Sequence, residues 1–328
     1  MSPMLPPPSA ALNIGQARPE HMPASFKGDT VYLRVRINDQ DFVFYTDSGG
    51  GLLITQAAAR RAGLGSQPVR DRRLAAQLPP DTRTIHIPAW RPSNVPLPAD
   101  APLFTVKSAR QIRGWPSQGD GILGQAWFAG HTWTWDYPHG NLWLDGPGWK
   151  PSSASAHPLA VEFRTDGNRG PVNHFLRITA TIDGRRIPLL LDTGAETFLT
   201  QSALRAMHDG LPRLRATSMI MQRLFSLWHL KHPHWPYLPD AQSTTHAAML
   251  KVPDVVLAGV HLGPVWFTSR PNANFERFMS SMTAGPVYGS LGGNAFASMK
   301  LTVDYVHARA WIDPGRQEDQ SKHSGAAE

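Results

Sequence analysis

Two stretches of alternating apolar and polar positions in this chain end in the same way. Phe42 and Phe44 in the first, and Ile187 and Leu189 in the second, follow the alternation of a half-buried strand. A turn precedes each, Asn-Asp-Gln at 38 to 40 and Asp-Gly-Arg at 183 to 185, and an aspartate, a small hydroxyl residue and a glycine follow. Both therefore predict strand, turn, strand, then Asp-Ser/Thr-Gly. Further on, 131–145 and 299–313 are strand-like, while the apolar spacing over about 217–230 predicts a helix packed on the surface. With 30 prolines and 28 glycines marking many turns, the pattern predicts a mainly β protein.

The resemblance between the two stretches is an internal repeat. At a constant offset of 145 residues, Asp47 meets Asp192, Ser48 meets Thr193, Gly49 meets Gly194, Thr55 meets Thr200 and Gln56 meets Gln201. A second block, HTWTWDYPHGNLWLD at 131–145, aligns without gaps to MKLTVDYVHARAWID at 299–313. It shares Thr134/Thr302, Asp136/Asp304, Tyr137/Tyr305, His139/His307, Trp143/Trp311 and Asp145/Asp313. Just upstream, DGILGQAWF (120–128) matches YGSLGGNAF (288–296). Such self-similarity implies two related lobes, 26–148 and 159–315, joined by a polar linker at 149–158. Residues 1–25 and 316–328 are expected to be flexible tails. The aspartate-to-glycine spacing is 77 residues in the first lobe and 100 in the second, so the second carries 23 more, expected within 205–250.

Composition narrows the chemistry. The chain of 328 residues has 41% hydrophobic and 17% charged residues, a globular balance, and its lack of cysteine excludes disulfides and a cysteine nucleophile. The net charge of +7 is scattered, with short clusters such as Arg70, Arg72 and Arg73 and no recognition motif, so no nucleic-acid partner is expected. No apolar run is long enough to cross a bilayer, and the N-terminus lacks a signal-peptide pattern. The expectation is no membrane association and a cytoplasmic location, or a periplasmic or secreted one if the true start lies upstream.

Two equivalent aspartates brought to a pseudo-twofold axis would hold one proton between them, because like charges so close cannot both ionise freely. The ionised partner can draw a proton from a water held between them while the protonated one donates to a substrate carbonyl. Hydrolysis then needs no metal and no other cofactor. Gly49 and Gly194 allow close backbone approach and offer N–H donors, and the Ser48 and Thr193 hydroxyls are placed to bond across the axis.

These residues resemble the signature of the aspartic peptidases of the pepsin and retropepsin superfamily: an apolar run into Asp-Thr/Ser-Gly, then two apolar residues and a glycine. Here they are FVFYTDSG with GILG (121–124) and IPLLLDTG with GSLG (289–292). The resemblance covers most of 30–313. It implies an all-β, bilobal acid-protease fold with two homologous lobes and an interlobe cleft, with Asp47 and Asp192 as the catalytic pair. Ser48, Gly49, Thr193 and Gly194 would support that pair. It also implies an endopeptidase acting on peptide or protein substrates as a monomer, since both halves sit in one chain.

The chain departs from the pattern in two ways. Ser290 stands where an aliphatic residue is usual, which is expected to affect packing without touching the aspartates. The flap sequence Tyr-Gly-Ser/Thr-Gly is absent from 60–115, leaving RRLAAQLPPDTRTIHIPAW (72–90), with Trp90 as an aromatic cover, as the candidate. That absence keeps open an alternative, a non-catalytic member of the fold that binds a peptide or protein. A two-carboxylate glycosidase fits less well, because its acid and base sit in different environments and these sit in duplicated ones. His229, His232 and His234 lack the spacing of a zinc motif, so no metal site is expected, and His139 and His307 are read as parts of equivalent turns.

Overall fold

The computed structural model describes residues 18–69, 78–98, 103–112, 119–146, 148–167 and 170–315. It is mostly β, with 40% strand against 14% helix, in agreement with the turn-rich composition. The first repeat builds an eight-stranded sheet, in the order Ala24–Lys27, Thr30–Ile37, Gln40–Thr46, Gly121–Leu123, Leu53–Thr55, Leu103–Lys107, Arg83–His86 and Gln67–Pro68. The second builds a nine-stranded sheet around the corresponding strands Arg177–Ile182, Arg185–Leu191, Gly289–Leu291, Ser218–Met221 and Val265–Arg270.

Local chemistry explains the shared design. Both hairpins close through two residues with positive φ, Asn38 and Asp39 in one and Asp183 and Gly184 in the other. That is the backbone twist that two-residue hairpins favour, and Asn, Asp and Gly reach it at least cost. The strands that follow, Gln40–Thr46 and Arg185–Leu191, have the same sequence of exposed and buried positions and become fully buried as they approach the aspartates.

A six-stranded sheet joins the repeats, with Thr132–Asp136 beside Lys300–Asp304 at its centre. Thr132 pairs with Asp304, Thr134 with Thr302 and Asp136 with Lys300, so exchanging the repeats maps this register onto itself. The two threonine hydroxyls meet at 2.8 Å. A local pseudo-twofold axis therefore passes between Thr134 and Thr302. Trp127, Phe128, Trp133 and Trp135 are fully buried against one another, within a core that reaches the six-, eight- and nine-stranded sheets.

Several expectations need correction. Of the tail expected at 1–25, Glu20 and His21 pair with Leu144 and Trp143, Met22 is fully buried and Ala24–Lys27 is a strand. Residues 1–17 and 316–328 lie outside the described residues, as does the cluster Arg70, Arg72 and Arg73. The linker runs into an edge strand, His157–Leu159, paired with Arg309–Asp313. The helix expected from about 217 begins at Gln222, because Ser218–Met221 is a strand between Val265–Arg270 and Gly289–Leu291. Ile220 and Met221, on opposite faces, are buried and Met219 is half-buried, and periodicity cannot tell so short a run from a helix.

The extra residues of the second repeat begin before the expected 205–250 and only partly overlap it. Leu53 faces Ile122, and Met219 faces the equivalent Ser290. Leu53 follows Asp47 by six residues, whereas Met219 follows Asp192 by 27, so 21 of the 23 extra residues precede Met219. They form Glu196–Phe198, the helix Gln201–Met207 and Leu214–Ala216, a hairpin bonded to the first repeat through Ala216 N–H and the Gly28 carbonyl at 2.7 Å. Thr55 and Thr200, aligned in sequence, both cap helices by accepting from N–H groups at 3.1 Å. Only Thr55 ends the strand that crosses between Gly121–Leu123 and Leu103–Lys107.

Of the flap candidate, 72–77 lies outside the described residues and Arg83–His86 is a strand of the first sheet. Trp90 is a core residue and not a cover: it packs against Phe44 and its indole N–H donates to the Val95 carbonyl at 2.9 Å. His139 and His307 each bond the aspartate three residues earlier at 2.7 Å, in equivalent turns. His232 bonds Asp183 at 2.9 Å and stacks on Trp235, and His229 stacks on Tyr237.

Candidate active site

The burial of the two preceding strands delivers both aspartates to one place. Asp47 N–H donates to the Leu123 carbonyl at 2.9 Å, and Asp192 N–H donates to the Leu291 carbonyl at 3.0 Å, so each loop is tied to the strand of the downstream glycine motif. The chain then turns identically in both halves, with Gly50 N–H bonded to the Asp47 carbonyl and Ala195 N–H to the Asp192 carbonyl, each at 3.0 Å. The two carboxyl groups come close enough for the charge of Asp192 to act on Asp47.

Close approach requires glycine on both sides. A Cβ on Gly49 would lie 2.5 Å from the Asp192 carboxyl carbon, and one on Gly194 would lie 2.4 Å from that of Asp47. Each repeat's glycine thus forms the floor under the other repeat's carboxylate. Gly49 N–H also donates to Asp47 Oδ1 at 2.9 Å, and the Gly194 N–H favours the charged form of Asp192.

The hydroxyls lock the loops together. Thr193 N–H donates to Ser48 Oγ at 2.9 Å, Ser48 N–H to Thr193 Oγ1 at 3.3 Å, and the Thr193 hydroxyl to Ser48 Oγ at 3.3 Å. The Ser48 hydroxyl continues to the Leu191 carbonyl at 3.0 Å, and Tyr45 donates to the Gly194 carbonyl at 2.5 Å. Ser48 and Thr193 are almost wholly buried, where an unmade bond costs more than in water. All six residues singled out from the sequence, Asp47, Ser48, Gly49, Asp192, Thr193 and Gly194, are together here.

The environments of the two carboxylates differ. Burial raises Asp47 well above the usual carboxylate range, and the charges of Asp192 and Glu196 add to this. Burial raises Asp192 too, but the Asp47 carboxyl, the Ser290 hydroxyl, the Gly194 N–H and the positive Arg270 counter it. The pair accordingly favours a state with one proton held between the two carboxyls. Ser290 departs from expectation: its buried hydroxyl has no partner at full hydrogen-bond geometry, yet it faces Asp192 closely enough to favour the charged form. The reason is that Ser290 sits between Leu190 and Met219, beside the strand that carries Asp192.

The pair opens into a cavity of about 340 Å³ lined by Tyr45, Leu53, Ile122, Glu196, Gln242 and Arg270, among others. Larger hollows of about 680 and 480 Å³ lie elsewhere, and neither contains the carboxylates. Sequence reading missed four of the cavity's polar residues. Tyr45 and Glu196 left a signal, each a polar group within an apolar run flanking an aspartate. Gln242 and Arg270 left none, because neither belongs to a motif and only the fold carries them to the site.

No protein-family profile matches this chain, and no curated protein matches it. No helix among the described residues is long and apolar enough to cross a membrane.

Proposed function

We propose that the chain is an aspartic peptidase with the bilobal pepsin or retropepsin-like architecture, hydrolysing peptide bonds by general acid–base activation of water. The observation that carries this reading is the packing of the Asp47 and Asp192 carboxyls, each against the other repeat's glycine, on loops locked by Ser48 and Thr193. In the singly protonated pair, the charged carboxylate is suited to take the proton of an attacking water, and the protonated one to donate to the carbonyl oxygen as the tetrahedral diol forms. Return of a proton to the amide nitrogen then releases the amine, and the dyad recovers its single proton. Each half contributes one carboxylate, so one chain suffices. The exposed cavity beside the pair favours a peptide strand as substrate.

The test is digestion of a diverse peptide library in the presence of a chelator, read by mass spectrometry, with and without a peptide carrying a secondary alcohol in place of the scissile carbonyl. The reading predicts internal cleavage that the chelator spares and the alcohol blocks. Binding of the alcohol peptide with no cleavage at any pH would favour the non-catalytic alternative.

A further inference from the structure

Arg270 ends the strand Val265–Arg270 and lines the cavity that holds the carboxylate pair. Both hydrogen bonds of its guanidinium leave from Nη1, one to Gln242 Oε1 at 2.7 Å and one to the Ser269 carbonyl at 3.2 Å. Gln242 is itself fixed, because Oε1 also accepts from the Thr245 hydroxyl at 2.8 Å. Its amide oxygen is therefore committed, and its NH2 group remains a donor. Burial lowers the Arg270 pKa to about 10, with Asp192 acting in the opposite direction as a nearby charge. The guanidinium stays charged at neutral pH and is held in place on one edge, and among the described residues its Nε and Nη2 donors have no hydrogen-bond partner.

The charges of the cavity are divided. Glu196 acts on Asp47 and Tyr45, whereas Arg270 acts on Asp192. A planar cation fixed on one edge, with an amide donor beside it, matches a carboxylate better than any neutral group. We propose that Arg270, with Gln242, receives a carboxylate of the substrate on the Asp192 side of the cavity, so that peptides acidic close to the scissile bond are preferred. This inference rests on the peptidase reading for its substrate but concerns the recognition of charge.

The experiment compares matched peptides that differ only in Glu or Gln at single positions flanking a cleaved bond, each with a free or an amidated C-terminus. The wild-type protein should show kcat/KM about tenfold or more higher for Glu at one position. Arg270→Gln should bring the ratio near one, and Arg270→Lys should keep part of it. A preference that follows the free C-terminus supports the same carboxylate site used by a chain end. Equal rates for Glu and Gln in wild type at every position and either terminus overturn the proposal. So does an Arg270→Gln variant that shifts the pH profile while leaving the ratio intact, because Arg270 would then only balance the aspartates. If no peptide is cleaved, fluorescence anisotropy with the same peptides decides: tighter binding of Glu peptides that Arg270→Gln abolishes supports the site, and equal affinities overturn it.

Discussion

Ser48 Oγ accepts from both the backbone N–H and the hydroxyl of Thr193 while donating to the Leu191 carbonyl, so one side chain ties together two loops 145 residues apart. The bonds are buried, and each carries the alignment of the carboxylates beside it.

Ser48→Ala should therefore destabilise the protein by about 1–3 kcal/mol, since it leaves the Thr193 N–H and the Leu191 carbonyl without this partner. Thr193→Val should cost less, because Ser48 keeps two of its bonds. Denaturant unfolding of the two variants and the double variant should show coupling of about 0.5 kcal/mol or more. Strict additivity would mean that the two hydroxyls do not act together.

Beside the Thr134–Thr302 contact, Asp145 accepts from the Thr134 hydroxyl at 2.6 Å in a largely buried site. Burial raises its pKa from 3.8 to about 6, with the Thr134 bond opposing. A raised carboxylate pKa means that the fold favours the proton. The stabilisation is complete below pH 3.8 and is lost as pH rises through about 6. Asp145→Asn should match wild type at pH 3.5 and exceed it at pH 8, by about 3 kcal/mol as an upper bound. Chemical denaturation at the two pH values measures the difference, and equal stabilities at both would contradict the assignment.

The position after each Asp-Ser/Thr-Gly, Gly50 or Ala195, supplies no hydroxyl. A Cβ on Gly50 would lie 2.3 Å from Asp47 Oδ2, so that site has no room, but Ala195 already carries a methyl group beside the Asp192 loop. Ala195→Ser should add a donor beside Asp192 and, by favouring a charged carboxylate, lower the pair's lower apparent pKa. The acid limb of the cleavage profile should move to lower pH. An unchanged limb, or a shift to higher pH, would show that another group sets the titration.

The repeat made the carboxylate pair legible, because identical motifs in register imply equivalent positions about an axis, and the hydroxyls and glycines came with it. Turn chemistry at Asn38-Asp39 and Asp183-Gly184 was legible for the same local reason. Ser218–Met221 was not, since so short a run, with buried residues on both faces, has no period to read. The displaced insertion had a related cause: Thr200-Gln201 copies the helix cap of Thr55-Gln56, and that local likeness hid the different strand crossing. Trp90 illustrates the remaining limit, as an aromatic side chain looks the same in sequence whether it covers a cleft or fills a core. Arg270 reaches the cavity only through the parallel pairing of Met221 with Arg270.

The central claim is that both aspartates act as one unit on water. The most direct test is kcat/KM for a cleaved peptide with wild type, Asp47→Asn, Asp192→Asn and the double variant, each confirmed folded by circular dichroism. Each single change should lower the rate by about a thousandfold or more, and the double variant should be hardly worse than either. A single variant retaining near-wild-type cleavage, or losses that multiply in the double variant, would contradict the account.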